Sequence, residues 1–141
     1  MKILKAAYEA LLYNTPLLPP ESGGIIGGTN GIVTEIHFDS GQNSNSHPAI
    51  YVPNIESLNK VIAEWNLSNV EFYGIFHSHY PQDRTLSTGD IRYITKIMQV
   101  MPSEIQFLLF PIILPRQDII AYRASNDEKG TSIVCDKIEI V

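Results

Sequence analysis

Cysteine is almost absent from this chain, which has one, Cys135, among 141 residues. A single thiol closes no disulfide within the chain, and it cannot supply the several thiolates of a cysteine-rich zinc site. The sequence therefore excludes a disulfide framework, and its cysteine usage is typical of a protein from a reducing compartment.

Basic charge is also scarce. There are 10 Lys and Arg residues against 15 Asp and Glu, which gives a net charge of −5 and an isoelectric point of about 5.2. Domains that bind nucleic acids usually carry a basic patch or stripe. We therefore expect no nucleic acid as a partner.

Long hydrophobic runs are lacking too. The longest, residues 107–114, contains Pro111 and is far shorter than the roughly 20 apolar residues that cross a bilayer. Lys2 and Lys5 resemble the charged start of a signal peptide, but Glu9 interrupts the apolar run and no small-residue cleavage site follows. We expect an amphipathic helix there, no membrane partner and a cytoplasmic protein.

The chain does have the composition of an ordinary globular protein, with 44% hydrophobic and 18% charged residues. Its length favours a single domain over residues 1–141. We find no internal repeat and no low-complexity linker.

The spacing of the apolar residues predicts a mixed α/β fold, with a sheet of about six or seven strands and helices packed on it. The predicted helices are residues 2–13, 54–65 and 87–101. In the last of them the residues expected to face the core are Ile91, Ile94, Ile97, Met98 and Met101. The predicted strands are residues 32–38, 49–52, 70–77, 105–114, 117–124 and 131–141, and a short one around 25–26. The strand at 105–114 is continuously apolar, so we expect it to be buried on both faces.

The stretch from Gly74 to Ile91 is the richest in chemically active side chains, and it reads G-I-F-H-S-H-Y-P-Q-D-R-T-L-S-T-G-D-I. His77 and His79 stand at the end of a predicted strand, where alternate side chains share a face. Asp90 falls in the first turn of the next predicted helix, which can fold back over the strand end. Two imidazoles and one carboxylate, with a fourth position left open, are the ligand set of a catalytic zinc site.

These residues also have a structural interpretation. S-x-x-D before an apolar helical run is a capping-box variant, with Ser87 as the N-cap and Asp90 near the positive end of the helix dipole. That role is compatible with metal binding. The histidines could instead be partly buried strand residues with hydrogen-bond partners. We favour the metal site because H-x-H at a strand end is followed by the Ser/Asp pair at a helix start.

A zinc hydrolase also needs a base that takes a proton from water and passes it on. Glu21 is a candidate because it opens the glycine-rich segment E-S-G-G-I-I-G-G, although its spacing alone favours a surface residue in a Pro-Gly loop. Glu35, Glu71 and Asp83 compete by residue type, and sequence spacing does not choose among them.

Together these residues resemble the signature of the JAMM (JAB/MPN) metalloprotease family, which is a Glu, then H-[ST]-H, seven residues, S, two residues and D. No position of that signature is missing here. The matching residues are Glu21, His77, Ser78, His79, Ser87 and Asp90. The glycine-rich segment and the order of helices and strands are also similar, so the resemblance covers most of residues 1–125.

The resemblance implies a cytidine-deaminase-like JAB/MPN fold with a curved sheet, and a zinc-dependent peptidase or isopeptidase activity. It implies that Zn²⁺ is bound by His77, His79 and Asp90. It further implies that Glu21 acts as general base and then as general acid to the leaving amine, and that Ser87 helps to stabilise the oxyanion.

The chain is short for this family. Relatives that cut ubiquitin chains often carry long insertions, sometimes with a second zinc site, whereas here only residues 39–53 look like an insertion and no His follows His79. The chain is therefore similar to the compact, prokaryote-type branch. That branch is associated with ubiquitin-like or sulfur-carrier proteins and with cell-wall peptides. We expect the substrate to be a peptide or isopeptide bond at the C-terminus of a small ubiquitin-like carrier.

Three alternatives remain open. The chain could be an inactive MPN-type binding scaffold, although such scaffolds usually lack the ligands that are present here. Two His and one carboxylate also form the facial triad of non-haem iron oxygenases, although that triad normally occurs on a β-barrel. A zinc amidase acting on cell-wall peptides or small molecules is also compatible with the sequence.

Residues beside the signature are expected to have simpler roles. Ser78 lies between the two histidines on the opposite face of the strand, so we expect its role to be structural. His37, on a strand, and His47, in a polar loop, are expected to be solvated. The loop that leaves the metal site is expected to contact substrate because it stays close to the metal; its residues are Tyr80, Pro81, Gln82 and Asp83.

Overall fold

The structure is a computed structural model that describes residues 1–41, 51–80 and 83–141. These described residues form three helices and eight strands. In chain order they are β1 (Lys2–Ile3), α1 (Lys5–Asn14), β2 (Gly23–Thr29), β3 (Ile32–Asp39), α2 (Ile55–Leu67), β4 (Glu71–Ser78), α3 (Thr88–Val100), β5 (Phe107–Leu114), β6 (Asp118–Asp127), β7 (Gly130–Asp136) and β8 (Glu139–Ile140).

The strands form one mixed sheet in the order β7-β6-β5-β4-β2-β3-β1-β8. At its centre β4 pairs antiparallel with β2 and parallel with β5. The register of β2 shifts next to Gly27 against both of its neighbours. Such bulges bend a strand and increase its twist, and the sheet is curled into a half-barrel. The predicted mixed, curved α/β sheet with packed helices is confirmed.

The core lies along β5, where seven of the eight residues are buried, as the apolar run predicted. Pro111, in the middle of β5, has no N–H to donate to a neighbouring strand. The β4–β5 ladder accordingly pairs Gly74 with Leu109 and resumes only at His77 and Ile112. A Cβ on Gly74 would stand 1.8 Å from the Leu109 carbonyl oxygen, so the two backbones are close here and only glycine fits.

Two predicted segments are each divided in the structure. Residues 2–13 were predicted as one helix, but Lys2–Ile3 form β1 and the helix begins at Lys5. Residues 131–141 were predicted as one strand, but they form β7 and β8. Within the described residues the sheet therefore has eight strands rather than six or seven, because two-residue strands are too short to show a period. Of the predicted strand 49–52, residues 49 and 50 lie outside the described residues, and Tyr51 and Val52 are not in a strand.

Helix α3 packs on the sheet through Ile94 and Met98, which are buried as predicted. Ile91 was predicted to face inward as well, but it is 47% exposed. Ile91 lies only about 60° round the helix from Ile94, at the edge of the buried face, and it stands in the first turn of α3, before the buried residues Ile94 and Met98. Within the described part of the chain, no helix is long and apolar enough to cross a membrane.

Candidate metal centre

The two histidines lie where β4 ends, in a backbone held from both sides. Ser78 N–H donates to the Ser22 carbonyl at 2.8 Å, and His79 N–H donates to the Ile113 carbonyl at 3.1 Å. In the register of the sheet, His77 stands opposite Gly23 of β2 and Ile112 of β5. The imidazoles therefore project from a fixed backbone rather than from a free loop.

His77, His79 and Asp90 come together as a compact cluster of possible metal ligands. The two Nε2 atoms are 2.9 Å apart, and they stand 3.1 Å and 3.0 Å from the Oδ1 and Oδ2 atoms of Asp90. Neighbouring ligand atoms of a tetrahedral zinc site, with bonds of about 2.0–2.1 Å, stand about 3.3 Å apart. The three donors thus have both the chemistry and nearly the spacing that zinc requires.

Asp90 reaches the histidines because of how α3 begins. Ser87 Oγ accepts from the Asp90 N–H at 3.0 Å, and Asp90 Oδ2 accepts from the Ser87 N–H at 2.9 Å, which completes a capping box. Burial alone would raise the pKa of Asp90, but hydrogen bonds from His77 and His79 outweigh it and hold that pKa well below its usual range. The carboxylate therefore stays ionised, as a metal ligand must be.

The outer nitrogen of His79 is also engaged. Its Nδ1 lies 2.9 Å from the backbone carbonyl of Asp83, so Nδ1 carries the proton and donates it, which leaves the Nε2 lone pair for a metal. Burial lowers the pKa of His79, but the hydrogen bonds to Asp90 and to the Asp83 carbonyl outweigh burial and raise it. This is the carbonyl–histidine pairing that commonly orients metal-binding imidazoles.

Ser78 connects the histidines to the segment that carries Glu21. It is fully buried, and its Oγ accepts from the Ser22 N–H at 2.9 Å. Together with the Ser78 N–H to Ser22 carbonyl bond, this fixes the residue next to Glu21 against the residue between the two histidines. The side chain lies away from the metal ligands, in agreement with the structural role predicted for it.

Glu21 and the candidate ligands line one cavity of about 510 Å³. The Glu21 carboxyl is half-buried, and this burial raises its pKa. Its competitors Glu35 and Glu71 pair with Gly27 and Gly28, at the far end of β2 from the histidines, and neither lines the cavity. Asp83 does line it. Of the four predicted acids, the structure brings Glu21 and Asp83 to the candidate metal ligands.

The other predicted site residues are placed as follows. Ser87 lines the cavity and is exposed, and its hydroxyl accepts the Asp90 N–H, while its own proton has no acceptor among the described residues. Tyr80 also lines the cavity. His37 lies in β3, is half-buried and does not line it. His47, Pro81 and Gln82 lie outside the described residues.

Sequence reasoning missed much of the cavity wall. Tyr93 could have been found, because it lies three residues after Asp90 and so on the same side of α3. Residues 51–53, which also line the cavity, carry no comparable pattern in the sequence. The remaining lining residues are Tyr51, Val52, Pro53, Ile75, Gly89, Ile94 and Phe110.

Comparison with solved structures shows the same fold in proteins of very different sequence. Protein DSY2949 from Desulfitobacterium hafniense superposes with a TM-score of 0.69 at 18% identity, over 100% of this chain and 93% of that one. A protein from Salinibacter ruber gives 0.61 at 11% identity, over 100% and 92%. AF2198, a JAB1/MPN domain protein from Archaeoglobus fulgidus, gives 0.54 at 16% identity, over 100% and 99%.

No family model and no curated protein matches the sequence. At these identities the structural likeness establishes the fold alone. This chain thus shares the mixed α/β architecture of AF2198, a JAB1/MPN domain protein. In this chain, His77, His79 and Asp90 form a group that could hold a metal ion.

Proposed function

We propose that the chain is a zinc-dependent metallopeptidase or isopeptidase of the JAMM type, formed by a single domain over residues 1–141. The observation that carries the proposal is the cluster of His77, His79 and Asp90 beside a cavity that also contains Glu21. Three ligands with a cavity beside them are typical of catalytic zinc sites, whereas structural sites are closed by four protein ligands.

The donor set fits zinc. Two neutral imidazoles and one ionised carboxylate match its ligand preferences, and the donor atoms are close to tetrahedral spacing. When bound there, zinc would supply Lewis-acid polarisation of a substrate carbonyl and would acidify a water molecule.

Glu21 is the proposed general base. Its carboxylate lines the same cavity as the ligands, and burial raises its pKa towards the range in which a carboxylate both accepts and returns a proton efficiently. It would take a proton from the attacking water and deliver it to the leaving amine. The Ser78–Ser22 hydrogen bonds keep the backbone next to Glu21 in place while this occurs.

Ser87 is the proposed oxyanion donor. Since its oxygen already accepts the Asp90 N–H, the hydroxyl proton is the part of the group that remains available. A hydroxyl held in this way can donate to the negative charge that develops on the carbonyl oxygen of the substrate.

For the substrate we propose the C-terminus of a ubiquitin-like or sulfur-carrier protein. Support comes from the resemblance of the signature to the compact branch of the family and from the cavity beside the candidate metal ligands. An extended tail would lie across the end of β4 to bring its scissile carbonyl to the metal.

The first experiment is elemental analysis of the tag-free protein and of the His77→Ala/His79→Ala double variant. We expect about one zinc per chain in the wild type, from the one ligand cluster that the described residues contain, and none in the double variant. The zinc-loaded protein is then incubated with carrier-fusion substrates, with Glu21→Gln as a control that keeps the metal ligands and removes the base.

The outcomes separate the alternatives. Zinc-dependent cleavage that is lost in Glu21→Gln supports the peptidase. Stoichiometric iron after anaerobic purification would favour the oxygenase triad instead. Zinc uptake without cleavage of any fusion, but with hydrolysis of cell-wall peptides or small amides, would favour the amidase. No metal uptake, with both proteins equally stable, would leave the inactive MPN-type scaffold.

A further inference from the structure

Asp39 is a buried carboxylate at the end of β3, and it is not part of the signature. It is 8% exposed, and its Oδ2 atom accepts two hydrogen bonds from one short segment. The Tyr51 hydroxyl donates at 2.8 Å and the Asn54 backbone N–H donates at 3.0 Å. Residues 51–54, which connect to the start of α2, are thus fastened to the sheet at two points.

The row of residues across the sheet explains where the Tyr51 ring lies. Gly23 of β2 pairs with Asp39 on one side and with His77 on the other. Paired residues of neighbouring strands share a face and stand about 5 Å apart, so Asp39 and His77 flank a position that carries no side chain. A Cβ on Gly23 would stand 2.5 Å from the Tyr51 ring, so the ring occupies the space above this glycine.

This arrangement makes residues 51–53 one wall of the candidate active site. Tyr51, Val52 and Pro53 line the cavity, as do Asp90 and Tyr93 of α3. Glu21 lines the same cavity, so this wall and the proposed base face one space.

The lining of the cavity indicates the chemical class of group that binds beside the metal ligands. Its walls are aromatic and aliphatic, its acids are Glu21, Asp83 and Asp90, and no Lys or Arg lines it among the described residues. The Tyr93 hydroxyl is buried and has no hydrogen-bond partner among them. A neutral, largely apolar group therefore fits this wall better than an anionic one.

We propose that Asp39 is a positioning residue that holds Tyr51 over Gly23, so that residues 51–53 form a fixed wall against which a neutral substrate group binds beside His77. The proposal rests on the proposed function only in treating the cavity as a substrate cleft. Asp39 itself touches no reacting atom and acts through Tyr51.

The test uses Tyr51→Phe, which removes one hydroxyl, and Asp39→Asn, which keeps the size of the side chain. The control is Tyr73→Phe, which removes a hydroxyl that accepts from the Gly31 N–H, a bond outside the cavity. Hydrogen exchange reports whether residues 51–54 open. Two metal-binding probes that are uncharged in solution near neutral pH, acetohydroxamic acid and the bulkier benzohydroxamic acid, are titrated into each zinc-loaded protein. Both bind zinc as the hydroxamate anion, and the group that each presents to the wall, methyl or phenyl, is neutral.

In both site variants we expect faster exchange within residues 51–54. Benzohydroxamate should bind about tenfold more weakly, the effect of losing a hydrogen bond to a charged group, while acetohydroxamate should change less than about twofold. Tyr73→Phe should behave as the wild type. Unchanged exchange, equal weakening of both probes, or the same effects in Tyr73→Phe would each overturn the proposal.

The result is separable from that of the proposed function. A protein that takes up no zinc would overturn the proposed function, and the exchange measurement alone would then decide whether Asp39 holds this segment. If the protein binds zinc and both probes but cleaves no fusion, the probe titrations still test the role of Asp39 and residues 51–53, and only the proposed substrate is rejected.

Discussion

Asp90 takes part in two hydrogen-bond networks at once. One oxygen, Oδ2, accepts from the Ser87 N–H and lies 3.0 Å from His79, while the other lies 3.1 Å from His77. Helix capping therefore fixes the position of the proposed metal ligand. The structural and functional interpretations of the S-x-x-D pattern are both compatible with this geometry, because Oδ1 takes no part in the cap and Oδ2 has a second lone pair beside the one that accepts the Ser87 N–H.

This arrangement predicts how the stability of the metal-free protein depends on pH. The pKa of Asp90 is lowered, so its contribution is present above the unfolded-state pKa of about 3.9 and is lost as pH falls through the folded value. The pKa of His79 is raised, so its contribution is full below about 6.5 and is lost as pH rises through the folded value. We expect maximal stability between these limits.

Urea unfolding of chelator-treated protein across this pH range measures the effect. Asp90→Asn keeps the shape of the side chain but not its charge. In this variant the free energy of unfolding should fall less steeply towards both acidic and alkaline pH. A wild-type profile that matches the Asp90→Asn profile would contradict the prediction. Zinc should reverse the trend on the alkaline side, because a metal binds the deprotonated imidazole.

At the scale of elements, the start of α3 is the feature that positions Asp90 in the candidate site. Ser87→Ala removes the acceptor for the Asp90 N–H, so we expect the free energy of unfolding to fall by about 1 kcal/mol. Ser87→Thr retains a hydroxyl acceptor and should lose only a fraction of that. Both variants are compared by urea unfolding without metal, which separates the cap from any role in catalysis.

Equal losses in the two Ser87 variants, or no loss in Ser87→Ala, would show that the cap does not stabilise the helix. Thr95→Ala is a suitable control on the same helix. Its hydroxyl donates to the Ile91 carbonyl within the helix and makes no contact with the capping box.

How well the elements could be predicted depended on their length and on their neighbours. The apolar run of β5 was recognised because burial on both faces leaves a continuous pattern. β1 and β8 were missed because their two residues each carry no period. Ile91 was predicted to face the core but is exposed, because it lies in the first turn of α3 and the spacing of apolar residues does not show where along a helix its packing against the sheet begins.

At the scale of the whole molecule, the candidate site combines near and distant parts of the sequence. His77, His79 and Asp90 are close in the chain, so local spacing and the family signature were enough to group them. Glu21 comes to the same cavity only through the pairing of β2 with β4. The wall at residues 51–53 depends on Asp39 and on the bare position at Gly23, and it was not foreseen.

Gly74 is a position where substitution is expected to be harmful although the residue takes no part in the chemistry of the candidate site. Its missing side chain lets β4 and β5 approach so closely that a methyl group would collide with the Leu109 carbonyl, and His77 follows three residues later on the same strand. Gly74→Ala should therefore displace the histidine pair and lower metal content, although the residue binds nothing. In a saturation-mutagenesis screen that measures activity, Gly74 should be as sensitive to substitution as the candidate metal ligands. Only a parallel screen that measures folding would show that substitutions at Gly74 act by steric collision.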